Sequence, residues 1–255
     1  MTKRVISVFL CVLCVISSIS FIVSAKENKE YTSDNFLSVA DGIIAWKKAD
    51  NGSEPDGYLI NDKYLENAGT TPGDWYPIAL GRLGIQDNNE GYLAVIKDRV
   101  EERYRESGRL SAAKATEWHR IALAVLAMGG DPTNFGTDEN GAPINLIADG
   151  TYDRGKTTPL GRQGINGWIW GLITLDSMRY AVPDGAYNTR DDIIVEIISK
   201  QLSDGGFALS SDDADPDITA MAITALAPYY NSEKIYSYHR KALSADESKT
   251  VHEVV

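Results

Sequence analysis

A ten-residue frame recurs four times in this chain without an insertion or a deletion. Its copies are Asp74–Leu83, Glu117–Leu126, Asn166–Leu175 and Asp217–Leu226, so successive starts lie 43, 49 and 51 residues apart. Position 1 is always an acid or an amide, position 6 is Ala or Gly, position 7 is Leu or Ile, and position 10 is Leu. A period of this length is typical of repeat architectures, in which each unit buries its apolar face against its neighbours.

The frame predicts a largely buried helix. Apolar residues at positions 5, 6, 7 and 10 extend around much of a helix, and the small residue at position 6 lets a neighbouring helix come close. The segments between the frames are more charged, and several of them have an amphipathic pattern. These predicted outer helices are 34–48, 91–107 and 191–201, with a short and weakly helical stretch at 143–149. The sequence therefore predicts an all-α fold in which exposed outer helices alternate with buried inner helices.

The remaining segments are rich in Gly, Asp, Asn and Pro, which is typical of loops, and none of them predicts a strand. Residues 231–247 are expected to be a connection, and residues 248–255 resemble the first turns of a fifth outer helix. If the row of helices curves, all frame starts lie at one rim of a central cavity. We expect a partial α/α-toroid of about four helix pairs, and further repeats after Val255 would be needed to close it.

Residues 1–25 are expected to be a secretory signal peptide, and residues 26–255 the repeat domain. Lys3 and Arg4 precede an apolar run that closes on the small-residue pattern Val23-Ser24-Ala25. An uncleaved N-terminal anchor is the alternative interpretation. After cleavage, no stretch of the chain is long and apolar enough to span a bilayer. The sequence thus predicts a secreted or cell-surface protein.

Cysteine content and charge exclude several classes of function. Cys11 and Cys14 both lie in the predicted leader, so the mature domain has no thiol for a disulfide, a cysteine-based zinc site or a nucleophile. Loss of Lys3 and Arg4 changes the net charge from −11 to −13. A surface this acidic disfavours nucleic acid as a partner. We expect no metal and no cofactor.

Three segments resemble the terpenoid cyclase and protein prenyltransferase repeat family: Gln201–Phe207, Asp215–Ala220 and Gly164–Asp176. The first, Gln-Leu-Ser-Asp-Gly-Gly-Phe, is similar to the family's glutamine–tryptophan motif, with Phe207 in place of Trp. The second is similar to the Asp-x-Asp-Asp-Thr-Ala motif of squalene-hopene-type class II cyclases, with Ile218 in place of the fourth-position Asp. The resemblance extends over residues 34–255 and implies the α/α-toroid fold.

The resemblance also implies a set of site residues. It gives Asp217 the role of a general acid that protonates a double bond or an epoxide, and Asp215 the role of a neighbouring charge that keeps Asp217 protonated. The predicted rim residues of the cavity are Asp74, Glu117 and Asn166. The predicted aromatic lining, which would stabilise a carbocation, consists of Trp75, Trp118, Trp168 and Trp170, with Tyr76 beside them.

Each of these predicted site residues can also be explained by a role in folding alone. Asp215 followed by Pro216 is a standard helix start, and an acid such as Asp217 is favoured in the first turn by the helix dipole. The tryptophans fit a hydrophobic core equally well, because Trp is a highly buried residue type. His119 is expected to be a histidine with satisfied hydrogen bonds, or a half-buried one, and not a base.

Three classes of function remain open. The first is an exported, non-catalytic module that binds a surface or a small apolar or amphipathic ligand. The second is a class II terpene cyclase or mutase with Asp217 as the acid. The third is a carbohydrate-active enzyme that pairs carboxylates in a helical barrel. The predicted export, the incomplete acidic motif and the low repeat number favour the binding module, while the oligomeric state is left open.

Overall fold

The structure is a computed structural model that describes residues 33–154 and 158–255. The predicted signal peptide lies outside these residues. The chain divides after Asp50 into two compact units. In its described part the first unit is one helix, α1 (Ser33–Asn51), which agrees with the first predicted outer helix. In the described part of the chain no helix combines the length and the apolar character required to cross a membrane.

The second unit contains helices, short 3₁₀ turns and one hairpin. In chain order its elements are α2 (Asp62–Leu65), α3 (Thr71–Leu83), α4 (Asn89–Ser107), α5 (Thr116–Ala127), α6 (Leu146–Gly150), α7 (Ile165–Asp176), α8 (Arg190–Ile198), α9 (Pro216–Leu226), β1 (Tyr236–Arg240), β2 (Ala245–Lys249) and α10 (Val251–Val254). The 3₁₀ turns are Leu160–Gln163, Ala227–Tyr229 and Lys241–Leu243. The described residues are therefore mainly helical, as predicted.

The four frames form the four inner helices α3, α5, α7 and α9, which pack against one another in chain order. Glycines allow the close approach that the frame predicts. A Cβ added to Gly81 would lie 2.0 Å from the carbonyl oxygen of Ala127, so α3 and α5 meet at backbone distance. In α7, a Cβ on Gly171 would contact Leu160 at 3.3 Å and His119 at 3.7 Å.

The outer helices α4, α6 and α8 form close to their predicted positions. In α4 one stripe is buried, formed by Tyr92, Ile96, Val100 and Tyr104 at a spacing of four residues. Helix α8 begins with a capping box, in which Thr189 and Asp192 bond each other's backbone N–H groups. Helices α4 and α8 thus present one apolar face to the core and a polar face to solvent, whereas the short α6 is buried at four of its five residues.

The prediction that 231–247 is a plain connection without a strand is wrong. Strand β1 pairs with β2 in antiparallel register, with Tyr236 opposite Lys249 and Arg240 opposite Ala245. Alternate residues of β1 are buried, beginning with Tyr236, so the segment has the two-residue period of a half-buried strand. The predicted helical start after Ser248 forms later, as the single turn α10.

Side chains fasten this C-terminal segment to the turn after α8. The amide Nε2 of Gln201 donates to the carbonyl oxygens of Gly205 and Val254, over 2.8 and 2.7 Å. The guanidinium group of Arg240 donates to the carbonyl oxygens of Gln201, over 3.1 Å, and of Leu202. We call Gln201, Arg240 and Val254 the C-terminal latch.

Candidate functional site

A buried arginine joins the starts of the first two frames. Arg120 donates from Nε to Asp74 Oδ2 over 2.8 Å, and from Nη1 and Nη2 to the two carboxylate oxygens of Glu117 over 2.8 and 3.0 Å. It also donates to Thr71 Oγ1 and to the carbonyl oxygen of Gly69, both at 3.2 Å. Because Arg120 and Asp74 are buried, these charged hydrogen bonds fix the N-terminal turns of α3 and α5 relative to each other.

Both carboxylate oxygens of Asp74 are occupied. Oδ1 accepts from the backbone N–H of Gly69 and from the hydroxyl group of Tyr92, both over 2.7 Å, and Oδ2 accepts from Arg120. Burial raises the pKa of the Asp74 carboxyl above its ordinary value, while the three donors act in the opposite direction. Asp74 therefore positions its neighbours and has no oxygen left to meet a ligand.

Glu117 is only partly buried and lines a cavity at the start of α5. Burial alone would raise its pKa, but the hydrogen bonds and the charge of Arg120 hold the pKa of the Glu117 carboxyl below its ordinary value. The same contacts keep the pKa of Arg120 above its ordinary value, although burial acts to lower it. At neutral pH Glu117 is thus a carboxylate that accepts hydrogen bonds and does not donate a proton.

The N-terminal turns of α3, α5 and α7 surround a cavity of about 190 Å³. Glu117 and Asn166, which occupy position 1 in the second and third frames, line it together with Trp75 and Trp170. The two indole rings lie 5.6 Å apart between centroids, with 56° between their planes. The other lining residues are Thr71, Lys114, Thr116, Arg120 and Gln163. The cavity thus combines an aromatic surface with polar groups of both charges.

One polar group of this cavity has no partner among the described residues. The amide oxygen Oδ1 of Asn166 is buried and accepts no hydrogen bond from them. In contrast, Oε1 of Gln163 accepts from the hydroxyl group and the backbone N–H of Thr116, over 3.1 and 3.4 Å. An unsatisfied buried acceptor costs about 1–3 kcal/mol, which favours a rearrangement that supplies this oxygen with a donor.

Two of the predicted cavity aromatics, Trp118 and Trp168, do not line this cavity. Trp118 is buried and donates from Nε1 to the hydroxyl oxygen of Tyr104 over 2.7 Å, while the guanidinium of Arg154 lies 3.9 Å from its ring centre. Trp168 packs against Gly161, where an added Cβ would come within 2.3 Å of the indole nitrogen. These two side chains contribute to packing, while Trp75 and Trp170 are available to a ligand.

The two aspartates predicted to be catalytic lie at the start of α9. Oδ1 of Asp215 accepts from the backbone N–H groups of Asp217 and Ile218, over 2.8 and 2.9 Å, so Asp215 is the helix N-cap. Asp217 follows in the first turn and is exposed. An exposed carboxyl lacks the enclosed, dry surroundings that the predicted general acid requires. Its role as a general acid stays a prediction.

One hydroxyl group joins the two segments that resemble family motifs. Thr219 Oγ1 accepts from the backbone N–H of Phe207 over 2.9 Å and donates to the carbonyl oxygen of the same residue over 3.2 Å. Phe207 is buried, and a Cβ on Gly206 would lie only 2.4 Å from the Cβ of Ala214. Here these motif residues fasten a tight loop to the first turn of α9.

His119 is fully buried, and one of its ring nitrogens has a hydrogen-bond partner among the described residues. Its Nε2 lies 2.6 Å from the carbonyl oxygen of Gly150, so this nitrogen carries the proton, while Nδ1 is buried without a partner in the described part of the chain. Burial lowers the pKa of His119 to about 4, and the positive charge of Arg154 acts in the same direction. The ring is therefore neutral at physiological pH.

Sequence reasoning did not identify Arg120 as a site residue. Its signal is a charge at frame position 4, where the other copies have Pro77, Ile169 and Ala220. A charge at an otherwise apolar position predicts a buried partner, and the acids at position 1 are the nearest candidates. Gln163 precedes the third frame, in a segment to which the repeat assigns no role.

Among residues 33–154 and 158–255, no group of three or more His, Cys, Asp or Glu side chains is arranged to hold a metal ion. Comparisons with protein-family models, with curated proteins and with solved structures found no match.

Proposed function

We propose that this protein is an exported, non-catalytic ligand-binding module on a partial α/α-toroid of the terpenoid cyclase and prenyltransferase type. Its ligand occupies the cavity between the N-terminal turns of α3, α5 and α7. The observation that carries the proposal is that the paired indole rings of Trp75 and Trp170 and the polar side chain of Glu117 line one cavity. Aromatic surface combined with a few placed polar groups is typical of small-molecule sites.

The lining selects a small amphipathic ligand. A flat or CH-rich face of the ligand packs on the indole rings, and its polar groups meet the polar part of the lining. Glu117 accepts a further hydrogen bond, and Lys114 adds a positive charge at the edge. At about 190 Å³ the cavity is smaller than the roughly 300–1,000 Å³ of sites for drug-sized molecules, so it holds a small molecule or one end of a larger one.

The ion network behind the cavity supports binding by keeping its wall rigid. Arg120 lines the cavity and is held by Asp74 and by both carboxylate oxygens of Glu117. Side chains fixed in this way lose little freedom when a ligand binds, which reduces the entropic cost of association.

The geometry supports binding better than cyclisation. A class II cyclase requires a protonated carboxyl in a dry cavity large enough for a polyene. At this cavity Glu117 is held ionised and Asp74 has both oxygens occupied, while Asp217 is exposed. The cavity is also too small to enclose a long polyene.

Saturation-transfer NMR with octyl glucoside, methyl glucoside and indole tests the proposal. These probes represent an amphipathic, a polar and a flat apolar ligand, and we expect octyl glucoside below its micelle concentration to give the strongest transfer. Trp170→Leu should abolish the signal because it removes half of the aromatic surface. Asn166→Ala should weaken binding by about tenfold, in line with the loss of one hydrogen bond.

The matched control is Tyr187→Leu, which removes an exposed aromatic side chain that does not line the cavity. Binding of all three probes should be unchanged in this variant. Wild-type protein that binds none of the probes, or binding that survives both cavity substitutions, would contradict the proposal. A cyclic product formed from squalene by the wild type and lost in Asp217→Asn would establish the cyclase instead.

A further inference from the structure

The hydrogen-bond acceptors that line the cavity are mostly occupied by the protein itself. The two carboxylate oxygens of Glu117 accept from Arg120 over 2.8 and 3.0 Å. Oε1 of Gln163 accepts from the hydroxyl group of Thr116 over 3.1 Å. Oδ1 of Asn166 has no donor among the described residues, but it is buried. A ligand therefore meets few acceptors that are both free and accessible.

Several donors of the same lining are unused. Lys114, Gln163 and Trp170 line the cavity, and their donor atoms Nζ, Nε2 and Nε1 have no acceptor among residues 33–154 and 158–255. The orientation of the Gln163 amide is fixed by Thr116, because a backbone N–H only donates and therefore meets the amide oxygen. Arg120, in contrast, donates five hydrogen bonds, which is the capacity of a guanidinium group. The groups left for a ligand are thus mainly donors.

The charges around the cavity leave an excess of positive charge. Three cations act on the carboxylate at the start of α5: Arg103, Lys114 and Arg120. Two carboxylates of this cluster, Glu117 and Asp74, oppose them. Lys114 is the one of the three cations that makes no ion pair with a described residue. The whole chain has a net charge of −11, so this cluster is opposite in sign to the protein that contains it.

We propose that the cavity binds the carboxylate of a small amphipathic acid, whose apolar body packs on Trp75 and Trp170. This inference rests on the proposed function and specifies the polar end of the ligand. Both oxygens of a carboxylate only accept hydrogen bonds, so the group matches a lining whose free groups are donors. Its charge also gives Lys114 the partner that the described residues do not provide.

Other polar groups match the lining less well. Two indole rings can hold a cation, because the faces of aromatic rings attract positive charge. Here Lys114 and the excess positive charge of the cluster oppose a cationic ligand. A neutral alcohol or sugar would accept from the free donors but would leave the charge of Lys114 without a partner. An acid is the class that meets both conditions.

Ligand-observed NMR titrations with phenylacetate, phenylacetamide and phenethylamine at pH 7 test the inference. The three probes share one apolar body and differ in their charge, which is negative, zero and positive. We expect phenylacetate to bind more tightly than phenylacetamide by about threefold or more, and phenethylamine to bind most weakly. Added salt should reduce the preference for the acid, because Lys114 is exposed and its charge is screened.

Two substitutions test the groups that give this preference. Gln163→Glu keeps an acceptor for Thr116 but replaces the free donor Nε2 with a carboxylate oxygen, so phenethylamine should become the tightest of the three probes. Lys114→Gln should weaken phenylacetate binding by about three- to fivefold and change phenylacetamide binding much less. Lys241→Gln is the matched control, because Lys241 is an exposed lysine that does not line the cavity. This variant should bind all three probes like the wild type.

The outcomes separate this inference from the proposed function. Equal binding of acid and amide by the wild type, or tighter binding of the amine, overturns the inference and leaves a ligand-binding cavity. Binding of octyl glucoside without binding of any phenyl probe does the same. A wild type that binds neither the phenyl probes nor octyl glucoside, methyl glucoside or indole overturns the proposed function as well.

Discussion

Asp74 and Asp217 occupy the same position of the same frame, yet the structure places them in opposite environments. Asp74 is buried and accepts three hydrogen bonds, one of them from Arg120. Asp217 is exposed, in the first turn of a helix that Asp215 caps. The difference comes from the next repeat: α5 covers the start of α3, whereas no described inner helix follows α9. The same frame position thus gives two side chains the same place on their helices. The helix that packs against that place determines whether the side chain is buried and hydrogen-bonded.

The largest expected effect is at Asp74. Asp74→Asn should lower the free energy of unfolding by about 3–5 kcal/mol, because it removes one of the two carboxylates that pair with the buried charge of Arg120. Urea denaturation measures the loss, with Asp217→Asn as the matched variant at the same frame position. Equal effects of the two substitutions would mean that burial does not distinguish the sites.

A double substitution sharpens this prediction. Adding Arg120→Met to Asp74→Asn removes both charges, so the double variant should be more stable than the sum of the two single losses predicts. Strict additivity would show that the two side chains do not act as a pair.

Frame position 3 offers a second comparison, between buried His119 and half-buried Thr219. The pKa of His119 is lowered to about 4 in the folded protein, against about 6.5 in the unfolded chain. The unfolded chain therefore binds the proton first as the pH falls, and stability is lost between pH 6.5 and 4. At 1.36 kcal/mol per pKa unit the loss reaches about 3 kcal/mol.

Unfolding free energies measured from pH 7 to pH 4 test this expectation. Carboxylates also contribute to acid instability, so the informative quantity is the difference from His119→Gln, which cannot titrate. His119→Gln should be less stable at pH 7 but should lose less stability on acidification. Parallel pH profiles for the two proteins would contradict a buried neutral histidine.

A smaller effect is expected at the cap of α9. Asp215→Ala should cost about 1 kcal/mol, because the backbone N–H groups of Asp217 and Ile218 lose their acceptor. Asp215→Asn keeps a capping oxygen and should restore most of the stability. Loss of function in Asp215→Asn without loss of stability would point instead to a chemical role for the carboxylate.

The smallest effect is expected at Asp217 itself. Asp217→Asn should change the free energy of unfolding by only about 0.5 kcal/mol, because an exposed carboxylate interacts weakly with the helix dipole. The difference should shrink further in high salt, since exposed charges are screened. A loss above about 2 kcal/mol would show that the carboxylate has a partner that its exposure does not suggest.

The longer helices could be predicted from the sequence because each has a clear helical period and is flanked by loops rich in polar residues. The short α2 and α6 have no such period, and α2 was not predicted. The hairpin was missed although β1 alternates buried Tyr236 and Tyr238 with polar residues, since a single short strand carries a weak signal without its partner. Of the four frame starts, Glu117 and Asn166 line the cavity, while Asp74 is buried and Asp217 is exposed away from it. Which acid would be buried could not be predicted, because that depends on Arg120 and on the covering helix.

The C-terminal latch has a consequence for how the chain opens. Gln201 bonds the carbonyl oxygens of Gly205 and Val254, and Arg240 bonds those of Gln201 and Leu202, so each segment holds the other in place. Residues 199–207 and 236–254 should therefore open together as one cooperative unit. In amide hydrogen exchange their protected N–H groups would share a single opening free energy. Gln201→Ala should lower that energy in both segments at once and leave the protection of α3 and α5 unchanged.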